Sequence, residues 1–137
     1  MIRVLGLLLV LWLLGRLAQR TERVMAGRDF LTGRVTVVHD GRTFTLVTGE
    51  RRVVCRLAGV AGPELAEPGG VAGRDSLRAL LGNGWVRVRL GDRYPGADPG
   101  WPARRAEVFR PRPGLPGSWE RVNRVVVERG WAVAARE

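Results

Sequence analysis

A mainly-β α+β fold, a small five-stranded barrel carrying two helices, is the class that this sequence of 137 residues predicts. Three observations predict it. Short stretches rich in β-branched residues alternate apolar and polar positions from Phe30 onward. Turn signals cut them at close intervals, at His39-Asp40-Gly41, Thr48-Gly49 and Asn83-Gly84. Beyond residue 30, only Gly73–Leu81 and Trp119–Arg129 place apolar residues at helical spacing.

The elements follow in order. Arg34–Val38 and Thr43–Val47 alternate as strands one and two, and Val53–Val60 reads as strand three. Ala61–Gly70 is a loop rich in Gly and Pro. The helix Gly73–Leu81 carries Leu77, Leu80 and Leu81 on one face and stops at Asn83-Gly84. Trp85, Val86, Val88 and Leu90 make strand four, with Arg87 and Arg89 pointing outward. Gly91–Pro102 is a long loop and Ala106–Phe109 a short fifth strand. After the loop Pro111–Gly117, the helix Trp119–Arg129 has Val122, Val125 and Val126 near one face, and Gly130 closes it. Five strands with a helix after the third suggest an oligonucleotide/oligosaccharide-binding (OB) barrel over residues 30–137. Trp85 and Trp131 sit on core patterns. Trp101 and Trp119 stand at loop edges and are candidates for contact with a partner protein or lipid.

Residues 1–29 have another character. Val4–Leu14 reads VLGLLLVLWLL, without a charge. As a helix it rises about 17 Å, against a hydrocarbon core of about 30 Å. Extended from Ile2 to Ala18, with Arg3 and Arg16 snorkelling, it reaches the lower limit for a span. A secretory signal, a short membrane anchor and an interfacial helix all fit this run. Val24-Met25-Ala26 is the one plausible cleavage site, and it lies far from the run, across Arg16, Arg20 and Arg23. The expectation is a membrane-anchor helix with Leu9, Trp12 and Leu13 as lipid or partner contacts. Arg16, Arg20, Arg23 and Arg28 follow the run while Arg3 alone precedes it, which directs the following domain to the cytoplasmic side.

The chain carries 23 basic residues, every one an arginine, and 13 acidic ones. From Phe30 onward 18 arginines and 11 acids remain, a net charge of +7 scattered over strands, loops and helix rather than gathered in a stripe. Such a balance suits nucleic acid, anionic lipid or an acidic protein face. One cysteine, Cys55, excludes an intrachain disulfide, and one histidine, His39, excludes a two-histidine metal motif. Cys55 reads as a small buried hydrophobe and His39 as a polar residue at a turn.

Five segments, in order, resemble the staphylococcal-nuclease-like (thermonuclease) family. Val38-His39-Asp40-Gly41-Arg42-Thr43 looks like its V-x-D-G-D-T turn, and Arg56-Leu57-Ala58-Gly59-Val60-Ala61-Gly62-Pro63-Glu64 like its R-L-x-x-[VI]-D-x-P-E segment. Gly73–Leu81 matches the helix that follows. Ala106-Glu107-Val108-Phe109 matches the strand usually preceded by Y-G-R. Val122-Asn123, Val126-Val127 and Gly130-Trp131-Ala132 match the V-N-x-x-L-V-x-x-G-L-A helix. The resemblance implies calcium-assisted phosphodiester hydrolysis, with carboxylates on the ion, a glutamate assisting water and two arginines on the phosphate. Carried across, Asp40 matches the first acid, Arg56 the first arginine and Glu64 the glutamate. Arg42 and Ala61 stand where two metal-ligating aspartates belong, and Ala103 where the second arginine belongs, with Arg104 adjacent.

A cation in a cation's seat repels: two like charges at about 4 Å cost several kcal/mol at an effective dielectric of about 20. Asp40, Arg42, Arg56, Ala61 and Glu64 are therefore expected to form a vestigial site with no metal, no cofactor and no catalysis. Arg42 standing in for the ion, its guanidinium offered to Asp40, Glu64 or a phosphate, is the sharper alternative. The function expected is that of a noncatalytic, membrane-anchored accessory or scaffolding subunit of a larger membrane complex, of respiratory or photosynthetic type. Its partners would be other membrane-protein subunits and the bilayer. Alternatives are a tethered metal-independent nuclease and a basic nucleic-acid-binding module.

Overall fold

A computed structural model describes residues 4–14, 30–95 and 102–136. The chain falls into two compact units, Met1–Phe30 and Leu31–Glu137. In the first, residues 4–14 form a helix, α1, whose residues are all exposed. Among the described residues no helix is long and apolar enough to cross a membrane. Of the expected span from Ile2 to Ala18, the described residues are 4–14, and they are helical. Eleven described residues reach only about half of a hydrocarbon core of about 30 Å. Residues 15–29, with the cleavage site and juxtamembrane arginines, lie outside the described residues.

The second unit is built from β1 (Phe30–Val38), β2 (Thr43–Thr48), β3 (Arg51–Leu57), β4 (Val60–Ala61), α2 (Gly70–Leu81), β5 (Trp85–Arg93), β6 (Ala103–Pro111), β7 (Trp119–Arg121), α3 (Val122–Glu128) and β8 (Val133–Ala134). The main sheet runs β3-β2-β1-β5-β6-β7, and a further β3–β6 pairing joins its ends. That pairing is parallel, from Val54↔Ala103 to Leu57↔Ala106. Five strands thus close a barrel, and β7 is appended to β6 beyond the point where β3 leaves it. The architecture is mixed α+β with a closed five-stranded barrel and is consistent with an OB-like fold.

Closure follows from alternation. Val35, Phe44, Leu46, Cys55, Leu57, Val86, Val88, Ala106 and Val108 are all fully buried, so each barrel strand sends alternate residues inward. The exception is β2, where Thr43 and Thr45 are buried as well. Leu77, Leu80 and Leu81 of α2 and Val122, Val125 and Val126 of α3 complete the same core. Asn123 is a polar group inside it, 4% exposed. Its Oδ1 accepts from the Val108 N–H at 2.9 Å. Its Nδ2 donates to Ala58 O at 2.9 Å and Ala106 O at 3.0 Å.

Several boundaries differ from the sequence reading. The expected third strand, Val53–Val60, starts earlier and breaks at Gly59, whose φ of +68° turns the chain. Val60–Ala61 then pairs with Val133–Ala134, two residues too few to leave a periodic signal. The expected loop from Gly91 is strand as far as Arg93. The C-terminal helix begins at Val122 rather than Trp119, because residues 119–121 pair with β6 instead. Trp85, read as core, is 62% exposed, since it shares the outward face of β5 with Arg87.

Candidate functional site

The candidate site is built on the β1–β2 turn. His39 N–H donates to Thr43 O at 2.9 Å, and the Arg42 N–H donates to the Asp40 carboxylate at 2.8 Å. This is an Asx turn, which explains an aspartate at position 40 without any ligand. The Arg42 carbonyl accepts from the Leu57 N–H at 2.8 Å, which fixes the turn to the end of β3. On its other side the turn touches α2 through backbone: a Cβ at Gly41 would meet the Gly73 carbonyl carbon at 3.1 Å. His39 does not enter the site; its Nε2 bonds Thr45 Oγ1 at 2.7 Å.

The turn and the register bring three arginines together. Thr43, next to Arg42, is opposite Arg56 on β3, and Arg56 is opposite Arg105 on β6. The Arg56 guanidinium lies over the Tyr94 ring at 3.8 Å from its centroid, and Arg105 approaches the same ring at 5.9 Å. Tyr94 is held there by its N–H, which donates to Ala103 O at 2.8 Å. Burial, and after it the Arg42 charge, push the Arg56 pKa down from its ordinary value. Tyr94, Asp40 and Glu64 pull the other way. Asp40, Arg42, Arg56 and Glu64 therefore share one electrostatic site. Arg42 itself is half-buried, and its Nε is buried without a hydrogen-bond partner.

Glu64 and Ala61 are less well placed for chemistry. Glu64 is exposed in the turn before α2, its N–H donating to Glu67 Oε1 at 3.2 Å. Ala61 sits in β4, paired with Val133. Ca²⁺ asks for about six to eight oxygen ligands. Here one carboxylate is committed to its turn, an arginine and an alanine take the other two seats, and among the described residues no three His, Cys, Asp or Glu side chains gather. The donor set does not fit the ion.

The second arginine was sought at Ala103, which is buried in the core. Arg105 occupies that region instead. Parity would have found it: Ala106 and Val108 face the core, so 105 and 107 face outward with Arg56. Arg104 turns away, its Nε and Nη2 both donating to Gly91 O at 3.0 and 2.7 Å. Tyr94 was missed because it lies in what reads as loop, and being the chain's only tyrosine was the available cue.

Of the expected contact residues, Leu9, Trp12 and Leu13 are exposed on α1. Trp119 is half-buried in β7, with the Arg87 guanidinium 4.5 Å over its ring. Trp101 lies outside the described residues. Cys55 is buried, and burial pushes its thiol pKa up to about 12. Compared with known proteins, the chain matches no family model and no curated protein.

Proposed function

We propose that this chain is a noncatalytic, staphylococcal-nuclease-like barrel that serves as an accessory or scaffolding subunit of a larger membrane assembly, joined to it by the amino-terminal helix. The observation that carries the proposal is α1. Its residues 4–14 are uncharged, and all are exposed. A helix apolar on every face is stable only when covered on every face. Apolar surface on this scale marks a binding segment. The cover proposed is the apolar interior of a membrane assembly, with the barrel on the cytoplasmic side. The noncatalytic part is supported by the arginine and alanine in the two ligand seats and by the commitment of Asp40 to its turn.

Purification from membranes in mild detergent, with mass spectrometry of what co-migrates, tests this directly. Stoichiometric recovery with other membrane polypeptides is expected. Recovery as a lone small particle sinks the reading. In parallel, no hydrolysis of DNA or RNA above a mock preparation is expected with calcium or with EDTA. Activity in EDTA that Glu64→Gln abolishes would restore the catalytic alternative.

One observation favours a second reading, a basic nucleic-acid-binding module. Arg56 and Arg105 both approach the Tyr94 ring, and basic side chains interleaved with an aromatic suit a nucleic-acid strand. It predicts affinity for single-stranded oligonucleotides that falls steeply with salt. Absent or salt-insensitive binding removes it.

A further inference from the structure

A second basic feature lies away from the Tyr94 site. A cavity of about 290 Å³ opens where β3 begins, β5 ends and β6 begins, and Arg51, Arg52, Arg93 and Arg104 line it with Val53 and Pro102. The topology creates it. The parallel β3–β6 pairing sets Val54 opposite Ala103, and the antiparallel β5–β6 pairing sets Arg93 opposite Arg104. Two of the arginines come from the start of β3 and two from the β5–β6 pair.

Charge is not neutralised there. Six arginines elsewhere in the domain are ion-paired: Arg89 and Arg121 with Glu107, Arg110 with Glu120, Arg74 and Arg78 with Asp75, Arg124 with Glu128. Among the described residues Arg51, Arg52 and Arg93 make no ion pair, and no acid lines the cavity. Arg104 is oriented by a backbone carbonyl, Gly91 O, rather than by a carboxylate. Its fork is therefore fixed in direction while its charge is unspent.

We propose that this cleft binds a diphosphoryl anion: pyrophosphate, or a small molecule carrying a pyrophosphoryl group. Guanidinium forks match phosphoryl oxygens in pairs. Four guanidinium forks around one cleft suit two linked phosphoryl groups better than one. The concavity suits a discrete ligand, whereas a bilayer surface is met by a flat or convex face. The volume lies near the lower end of small-molecule pockets. This inference is independent of the accessory-subunit reading.

The test is calorimetry of the full chain in mild detergent, with inorganic pyrophosphate as the probe. One equivalent is expected to bind, at least tenfold more tightly than inorganic phosphate. Arg51→Gln with Arg93→Gln should weaken binding at least tenfold, and both positions are exposed, so the barrel tolerates the change. Arg51→Lys with Arg93→Lys keeps the charge and removes the forks, and it should also bind clearly more weakly than wild type. Full affinity in the lysine variant overturns the proposal in favour of diffuse charge attraction. So does binding that survives the glutamine variant and disappears with Arg42→Gln and Arg105→Gln, which would move the anion to the Tyr94 site. A third refutation would be no pyrophosphate binding, with anionic vesicles or single-stranded oligonucleotides bound in its place and released by the glutamine variant.

Discussion

Replacing Asn123 by leucine probes the joint that closes the barrel. The outer edge of β6 pairs with β3 up to Ala106 and with β7 from Phe109 onward. Between them the Val108 N–H meets the Asn123 carboxamide rather than a neighbouring strand. The two carbonyls that Nδ2 serves fare differently. Ala106 O keeps a second donor, the Ala58 N–H at 2.9 Å. Ala58 O is half-buried and regains water. One buried donor is therefore orphaned in Asn123→Leu, at about 1–3 kcal/mol, and two further hydrogen bonds are lost with smaller net effect. The expected loss is about 2–3 kcal/mol. In urea unfolding of the full chain in mild detergent, followed by tryptophan fluorescence, the midpoint should fall by about 1–2 M. Asn123→Asp sharpens the test. It keeps the acceptor for Val108 but turns a charged oxygen toward two carbonyls, which raises the folded-state pKa of the new carboxyl. A raised acid pKa means the neutral form is favoured in the fold. The deficit relative to wild type is then small below the unfolded value of about 3.9 and grows as pH rises through the folded one. A midpoint within about 0.3 M of wild type for Asn123→Leu would show that the carboxamide does not close this joint.

Other outcomes follow from the same geometry. Gly70→Ala should destabilise by at least about 2 kcal/mol, because a Cβ there would overlap Glu64 O and meet Leu65 O at 2.7 Å; a melt within a degree or two of wild type would contradict this. Arg110→Met should lose about 2–3 kcal/mol by thermal melt, since Arg110 joins the half-buried Glu120 to the Leu80 carbonyl at the end of α2. Arg124→Met, which breaks only an exposed pair with Glu128, should lose less than about 0.5 kcal/mol, and equal losses would refute the contrast. Cys55 should resist an aromatic disulfide reagent at pH 8 until the chain unfolds, because burial holds the thiol neutral with a pKa of about 12; rapid labelling of native protein would place it nearer the surface.

The barrel was legible because its strands alternate against one core. Val35, Leu46, Cys55, Val88 and Val108 are all visible in the sequence pattern and all buried. What escaped was set by pairing rather than periodicity. Residues 119–121 carry a helix-compatible pattern, yet β6 has a free edge there and takes them as strand. Trp85 is apolar and heads a strand, but parity sends it outward with Arg87. The site was legible in part. Arg42, Asp40 and Glu64, which the resemblance grouped with Arg56, all act on its charge. Arg105 and Tyr94 did not emerge, because their place depends on a parallel pairing between strands some fifty residues apart.

The turn that carries Asp40 and Arg42 is held by backbone groups and by the Asp40 carboxylate. Its shape is set by the Arg42 N–H on Asp40, the Arg42 carbonyl on Leu57 N–H, and the Gly41–Gly73 backbone contact. None of these uses the side chain at position 42. Asn123 is the opposite case: its carboxamide satisfies three backbone groups, the Val108 N–H, Ala58 O and Ala106 O. The positions that hold the barrel closed are thus separable from those that set the charge of its cleft. Three converging arginines are tolerated because an aromatic face, two carboxylates and water spread their repulsion, as the opposing pulls on Arg56 record. The result is a positive field beside the β1–β2 turn, one that repels cations and favours anions.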